Sequence, residues 1–301
     1  SETASKEYDG TPLTKPDVTV TGDGFVAGEV SDIKATGSAT LVDDGEVTNA
    51  ITFTTGEKFN EDNYTITKNE GKLSITQRTD IIVITTPTRS RAYNGRKLLD
   101  YSCTYTGTIA DGDELIMTFP EDDGLINAGS KPNQYERYRV ERKSDGRNVT
   151  NNYTFGESII GTLTVTPVAI ELTAASDSKA YDGTPLTNSN YTITKGAFVD
   201  GEGLAAVTIA GSQTLVGASA NTITGHTLKD NTLAQNYTIT YQPGELKVTQ
   251  NEKAITITAN SHTWEYDGQP HTDGGYTVNY DGVDYPVAAG EFATLPTGDK
   301  V

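Results

Sequence analysis

The stretch "KAYDGTPLT", residues 179–187, has a near copy in "KEYDGTPLT" at 6–14, and weaker echoes in "RAYNGRKLL" at 91–99 and "WEYDGQPHT" at 264–272. Their tyrosines, Tyr8, Tyr93, Tyr181 and Tyr266, follow one another at steps of 85, 88 and 85 residues. A second landmark keeps the same phase: "NYTITKNEGKLSITQ" at 63–77, "NYTFGESIIGTLTVT" at 152–166 and "NYTITYQPGELKVTQ" at 236–250. Two independent landmarks in phase define a tandem repeat. The boundaries they set are 1–77, 78–167, 168–250 and 251–301. The first of these modules lacks an opening strand and the fourth is truncated, so the chain reads as a piece of a longer array.

Each residue of the signature has a folding job. Tyr181 and Leu186 are anchors for the core, and Asp182-Gly183 supplies a turn with positive φ open to the glycine. Pro185 holds Thr184 extended and removes a ladder donor, which places it at an edge or a strand start. No base or metal partner stands near the tyrosine in sequence, so the motif marks modules and not active sites.

Within the third module the apolar pattern alternates with period two. "AIELTA", "KAYDGTPLT", "YTITKGAF", "AAVTIAGSQT", "NTITGHTL", "NYTITY" and "GELKVT" read as seven short strands, the last two joined as a hairpin at Gln242-Pro243-Gly244. Thr and Tyr favour strands, while Gly, Asn and Asp favour turns. The class is all-β: a tandem array of ~85-residue immunoglobulin-like β-sandwich modules. A β-grasp-like module is the alternative, and it needs a helix that the periodicity does not supply. Linkers such as "TVTPVAIELT" are short, which implies a semi-rigid rod of modules, each roughly 30–40 Å long.

"YDGTPLT", "GSQTLVGASANTI" (211–223) and "NYTITYQPGELKVTQ" resemble the tandem MBG-type repeats of large cell-wall-anchored adhesins of Gram-positive bacteria. The likeness covers most of the chain; it is strongest in the third module and weakest in the second, where Arg96-Lys97 replace Thr-Pro. It implies an extracellular stalk without enzymatic activity, attached to the cell wall. It carries over no site residue.

Composition narrows the partners. The formal charge is −18, with hydrophobic residues at 35% of the 301. Phosphates would be repelled, which argues against nucleic acid and anionic membrane surfaces. No apolar stretch approaches 18 residues, so no membrane insertion is expected. Cys103 is the single cysteine and reads as a small buried hydrophobe. "TLPTG" at 294–298 superficially matches a cell-wall sorting signal but lacks the residue between Pro and Thr, and reads as an ordinary loop. Neither an esterase elbow nor a P-loop nor a dinucleotide fingerprint is present.

Four features merit testing as sites. Close carboxylates at Asp111, Asp113, Glu114, Asp122 and Asp123 are the kind of hard oxygen ligands calcium takes, although Asp-Gly pairs are also plain turn formers. Lys6 with Asn63, and Lys179 with Asn236, hold matching positions in two modules and would suit a Lys–Asn isopeptide cross-link. Both pairs also sit where strand ends are expected, and the second module has Arg91 at the lysine position. Trp264, beside Tyr266, His262 and His271, is the only Trp-containing cluster and a candidate glycan platform. In period two, however, Trp264 and Tyr266 share one strand face, which reads as core. Finally, "SKPNQYERYRVERKSDGRN" (130–148) gathers six basic residues in an acidic chain, with Arg137, Arg139 and Arg142 interleaved with Tyr135 and Tyr138. It reads either as the charged face of an edge strand or as a patch for an anionic partner such as a sulfated glycan.

The sequence therefore predicts a non-catalytic spacer, monomeric and elongated, that displays an adhesive tip. The rival readings are modules that themselves bind host glycan or matrix protein, and an accessory region of a secreted polysaccharide-degrading enzyme. No resident cofactor is implied beyond the calcium option.

Overall fold

In the computed structural model, which describes residues 1–301, the chain is almost wholly β. Its only helical pieces are four single 3-10 turns, at Val42–Asp44, Glu61–Asn63, Thr150–Asn152 and Ala234–Asn236. Backbone contacts divide it into two compact units. The first comprises Ser1–Arg91 with Arg96–Val165, and the second comprises Ala92–Gly95 with Thr166–Val301.

The second unit shows the sandwich most fully. Seven strands fill the third module: Val168–Ala174, Asp177–Ala180, Tyr191–Lys195, Leu204–Ala210, Gly217–Leu228, Tyr237–Gln242 and Gly244–Thr249. Val168–Ala174 lies between Tyr191–Lys195 (antiparallel) and Tyr237–Gln242 (parallel). The other sheet runs Asp177–Ala180, Gly244–Thr249, Gly217–Leu228, Leu204–Ala210. Alternation along Val168–Ala174 sends Ile170, Leu172 and Ala174 inward, while Gly244–Thr249 buries Leu246 and Val248.

The expected hairpin at Gln242-Pro243-Gly244 does not form. Tyr237–Gln242 and Gly244–Thr249 belong to different sheets, with only Pro243 between them. One residue cannot close a hairpin, and proline has no N–H for a turn bond, so the chain crosses from sheet to sheet. Gly244 suits that crossing because a Cβ there would stand 2.4 Å from the Ala175 carbonyl oxygen.

The first unit repeats the same pairings. Ile81–Thr85 lies between Thr104–Thr106 (antiparallel) and Thr154–Phe155 (parallel). Ala4–Glu7 runs parallel to Leu73–Thr76, as Asp177–Ala180 runs parallel to Leu246–Thr249. A fully buried asparagine recurs beside these sheets. The Asn49 amide donates to the carbonyls of Glu2 and Lys15, and the Asn221 amide donates to those of Ala175 and Asn188. Each holds loop backbone that would otherwise lack a partner.

One large apolar cluster runs through the first unit. Tyr8, Leu13, Leu41, Leu73 and Ile75 join Ile82, Ile84, Val140, Val149 and Tyr153 in one core. Cys103 packs against its edge, and burial raises its thiol pKa, in keeping with a space-filling role.

The fourth module departs from the sequence reading. Ile255–Ala259, Tyr276–Tyr280 and Val283–Val287 form an antiparallel sheet over Val278, Tyr280, Val287, Ala293 and Leu295. Residues 260–275 carry no strand, and Tyr266 is 98% exposed. Trp264 and Tyr266 are therefore surface residues and not core. The signature strands of the first and third modules are held by a parallel strand 69 positions further along.

Candidate functional site

The structure gives the signature tyrosines a shared partner that the sequence reading missed. In the first unit the Tyr8 hydroxyl donates to Asp113 Oδ2 at 2.8 Å, and the Tyr153 hydroxyl donates to the same oxygen at 2.6 Å. The two rings meet edge to face, 5.6 Å apart at 78°. In the second unit Tyr93 donates to Glu202 Oε1 at 2.5 Å and Tyr237 to Glu202 Oε2 at 2.7 Å. Those rings stand 5.7 Å apart at 84°. A signature tyrosine and an Asn-Tyr-Thr tyrosine thus share one carboxylate in each unit, an arrangement we call a clasp. The third signature tyrosine, Tyr181, donates to Asp299 Oδ1 at 3.0 Å.

Local backbone prepares each acid. The Ala110 N–H donates to the Tyr153 hydroxyl at 3.1 Å, and the Asp113 N–H donates to the Ala110 carbonyl. Val199, Tyr237 and Glu202 repeat both bonds. The acids end a pattern of apolar residue, two variable residues, glycine and acid: "FVAGE" at 25–29, "IADGD" at 109–113, "FVDGE" at 198–202 and "LPTGD" at 295–299. This fourfold pattern is the sequence signal that would have found the site. It also reassigns "TLPTG": the loop presents Asp299 and buries Leu295.

The signature glycine has a second role besides its turn. Gly10, Gly95 and Gly183 have φ of 82°, 73° and 81°. A Cβ on Gly10 would meet Ala110 at 3.7 Å, and one on Gly95 would meet Val199 at 3.0 Å. At Gly183 it would stand 1.7 Å from the Thr297 carbonyl oxygen. The turn thus lies against the very segment that carries the acid; its φ favours glycine at all three positions, and at Gly183 the backbone approach demands it as well.

Electrostatics make these phenols hydrogen-bond donors. Burial, reinforced by Asp113, pushes Tyr8 up to about 12. Tyr153 rises further for the same causes. Burial likewise pushes Tyr237 up to about 12, with Glu202 adding to the rise. A phenol that holds its proton so firmly is a poor nucleophile and a poor base, but a strong partner for a carboxylate. The sequence reading supplied no acid for the signature; the fold brings one from 105 residues away.

The candidate residues fall out as follows. Asp113 is buried in the clasp, Asp122 pairs with Lys97, and Asp123 pairs with Lys131. Asp111, Asp113, Glu114, Asp122 and Asp123 are not gathered into a ligand set: no group of three or more His, Cys, Asp or Glu is placed to hold a metal. Lys6 Nζ donates to Asp9 and Thr11 within its own signature, and Lys179 does the same with Asp182 and Thr184. Lys6 Nζ thus bonds within its own signature and not to Asn63. Asn63 is exposed and Asn236 buried, whereas the equivalent Asn152 accepts from the Val42 N–H at 2.8 Å.

The basic stretch forms the strand Arg137–Arg142, whose only ladder partner is Asp113–Thr118. Arg137 is exposed, whereas Arg139 pairs with Glu141 at 2.6 Å. Arg142 stands opposite Asp113 in the register and faces the Tyr8 hydroxyl, where it opposes the rise in that tyrosine's pKa. Tyr135 bonds Ser158, and Tyr138 packs on Phe155 with ring centres 4.5 Å apart. Trp264 stacks on His271 at 5.2 Å and 11°, and the His262 ring lies 4.6 Å from it at 55°. His271 Nε2 is 2.8 Å from Asp267 Oδ1.

No protein-family model matches this chain, and no curated protein matches it.

Proposed function

We propose that this chain is a non-catalytic spacer region of a bacterial cell-surface adhesin, in which consecutive β modules are locked to one another by tyrosine–carboxylate clasps. The observation that carries this reading is the recurrence of the clasp. Tyr8 with Asp113 and Tyr153, and Tyr93 with Glu202 and Tyr237, spend the most regular residues of the sequence on joints. Two phenols on one carboxylate, with an edge-to-face ring pair beside them, resist bending and slippage between modules. A spacer needs that resistance; a catalytic centre would need a group free to gain or lose a proton. The resemblance to MBG-type repeats supports an extracellular, cell-wall-attached setting.

Small-angle scattering at low protein concentration tests the reading. A spacer gives a radius of gyration well above the roughly 19 Å expected of a compact globule of this length. The double variant Tyr8→Phe, Tyr93→Phe should broaden the distribution of interatomic distances. A compact particle, or one whose scattering ignores that change, would refute it.

A further inference from the structure

We propose that Asn94 is a self-modifying residue: with Gly95 it forms a deamidation site whose products act on the Tyr93 clasp. The chemistry belongs to the turn itself, whatever the array is for.

The position is singular in the chain. Three of the four signature turns read Asp-Gly, at Asp9, Asp182 and Asp267, and the second alone reads Asn-Gly. No other asparagine of the sequence is followed by glycine. Asn94 and Gly95 are both exposed, whereas Asn49, Asn133, Asn152, Asn221 and Asn236 are buried.

The turn permits the reaction. In the sibling signatures the acid folds back over the next peptide: Asp9 Oδ1 accepts from the Thr11 N–H at 2.8 Å, and Asp182 Oδ1 from the Thr184 N–H at 2.9 Å. Gly95 has φ of 73°, beside 82° at Gly10 and 81° at Gly183, so the second turn keeps the same course. An asparagine folded back in this way presents its Cγ to the nitrogen of Gly95, and glycine has no side chain to screen the approach. The Gly95 nitrogen bonds to Cγ and gives up its proton; the Cγ–Nδ2 bond breaks, and Nδ2 leaves with that proton as ammonia. Water then opens the cyclic imide at either carbonyl, to aspartate or to isoaspartate.

Both products bear on the joint. Tyr93, the preceding residue, donates its N–H to the Thr166 carbonyl at 2.8 Å and its hydroxyl to Glu202 Oε1 at 2.5 Å. Aspartate keeps the main chain and supplies the acid that the sibling turns carry, where hydrogen bonds from Lys6 and Thr11 hold Asp9 at about 2. Isoaspartate routes the main chain through Cβ and lengthens it beside the clasp. Gly95 lies so close to Val199 that a Cβ on it would stand 3.0 Å away, and the longer chain unseats that approach.

Ageing the full folded chain in mildly alkaline buffer tests this, with circular dichroism showing that it stays folded. Trypsin then releases Ala92–Arg96, which should exchange amide for acid before any other asparagine peptide does. Isoaspartyl methyltransferase labelling should mark the isoaspartate fraction of the same peptide. That fraction, enriched by ion exchange, should melt below the fresh chain, whereas Asn94→Asp should melt at or above it. Asn94→Gln should age at least tenfold more slowly, because the longer side chain closes a larger ring. An unchanged Ala92–Arg96 peptide, another asparagine reacting first, or an isoaspartate fraction that melts with the fresh chain would overturn the proposal.

Discussion

Tyr8 and Asp113 lie 105 positions apart, yet the hydroxyl of one donates to the carboxylate of the other at 2.8 Å inside a shared core. The carboxylate accepts Tyr153 as well, so both phenols depend on one acid. Removing the acid must therefore cost more than removing either donor.

Tyr8→Phe deletes one charge-assisted hydrogen bond and keeps the ring, for an expected loss of about 1.5–3 kcal/mol. Asp113→Ala leaves two buried hydroxyls without an acceptor and should cost about 3 kcal/mol or more. Urea denaturation of the variants measures both. A double-mutant cycle of Tyr8→Phe with Tyr153→Phe should show coupling, since the two phenols answer to the same oxygen.

Glycine substitutions separate turn strain from docking. Gly268→Ala places a side chain at φ of 75° with nothing nearby, for a cost of about 1–2 kcal/mol. Gly183→Ala adds a collision with the Thr297 carbonyl at a similar φ and should also break the Tyr181–Asp299 bond. Thermal melts should rank the second change well below the first. Equal melting points would mean that the signature glycine serves its turn alone.

Alkali should loosen the clasps. Tyr8 and Tyr237 are raised from the ordinary 10.0 to about 12, so the folded state holds protons that the unfolded state releases between those values. Their contribution is complete below pH 10 and is lost as pH rises towards 12. Chemical denaturation across that window should show falling stability, with a shallower slope in Tyr8→Phe. Phenolate absorbance should appear late for the clasp tyrosines.

The basic strand should divide by position. Arg137→Gln touches an exposed side chain and should change stability by less than about 0.5 kcal/mol. Arg142→Gln removes a half-buried guanidinium opposite Asp113 and beside Tyr8, and should cost about 1–3 kcal/mol. If the strand recognises a sulfated glycan, heparin retention should fall with Arg137→Gln; an unchanged elution supports the charged-edge role.

Calcium is expected to leave the melting temperature unchanged. Asp122 and Asp123 already pair with Lys97 and Lys131, and Asp113 is occupied by two phenols. A rise on titration that is reversed by chelator would require these carboxylates to leave their partners.

Composition and period-two alternation were enough to read an all-β chain, and six of the seven strands of the third module stand where the apolar pattern puts them, while the signature strand lies earlier, at Asp177–Ala180. Strand formation is local, governed by which residues alternate and where Gly, Asn and Asp break the run. Pairing is not local. That Gly244–Thr249 leaves its neighbour to run beside Asp177–Ala180 depends on which sheet buries Leu246 and Val248, and no single segment encodes that choice. The signature was legible as a turn with an aromatic anchor, and its glycine as a residue needing positive φ. That its tyrosine reaches past its own module to Asp113, Glu202 or Asp299 was decided only by the tertiary structure. The acid sits in a short pattern that looks like any Asp-Gly turn, and its meaning lies in what packs against it.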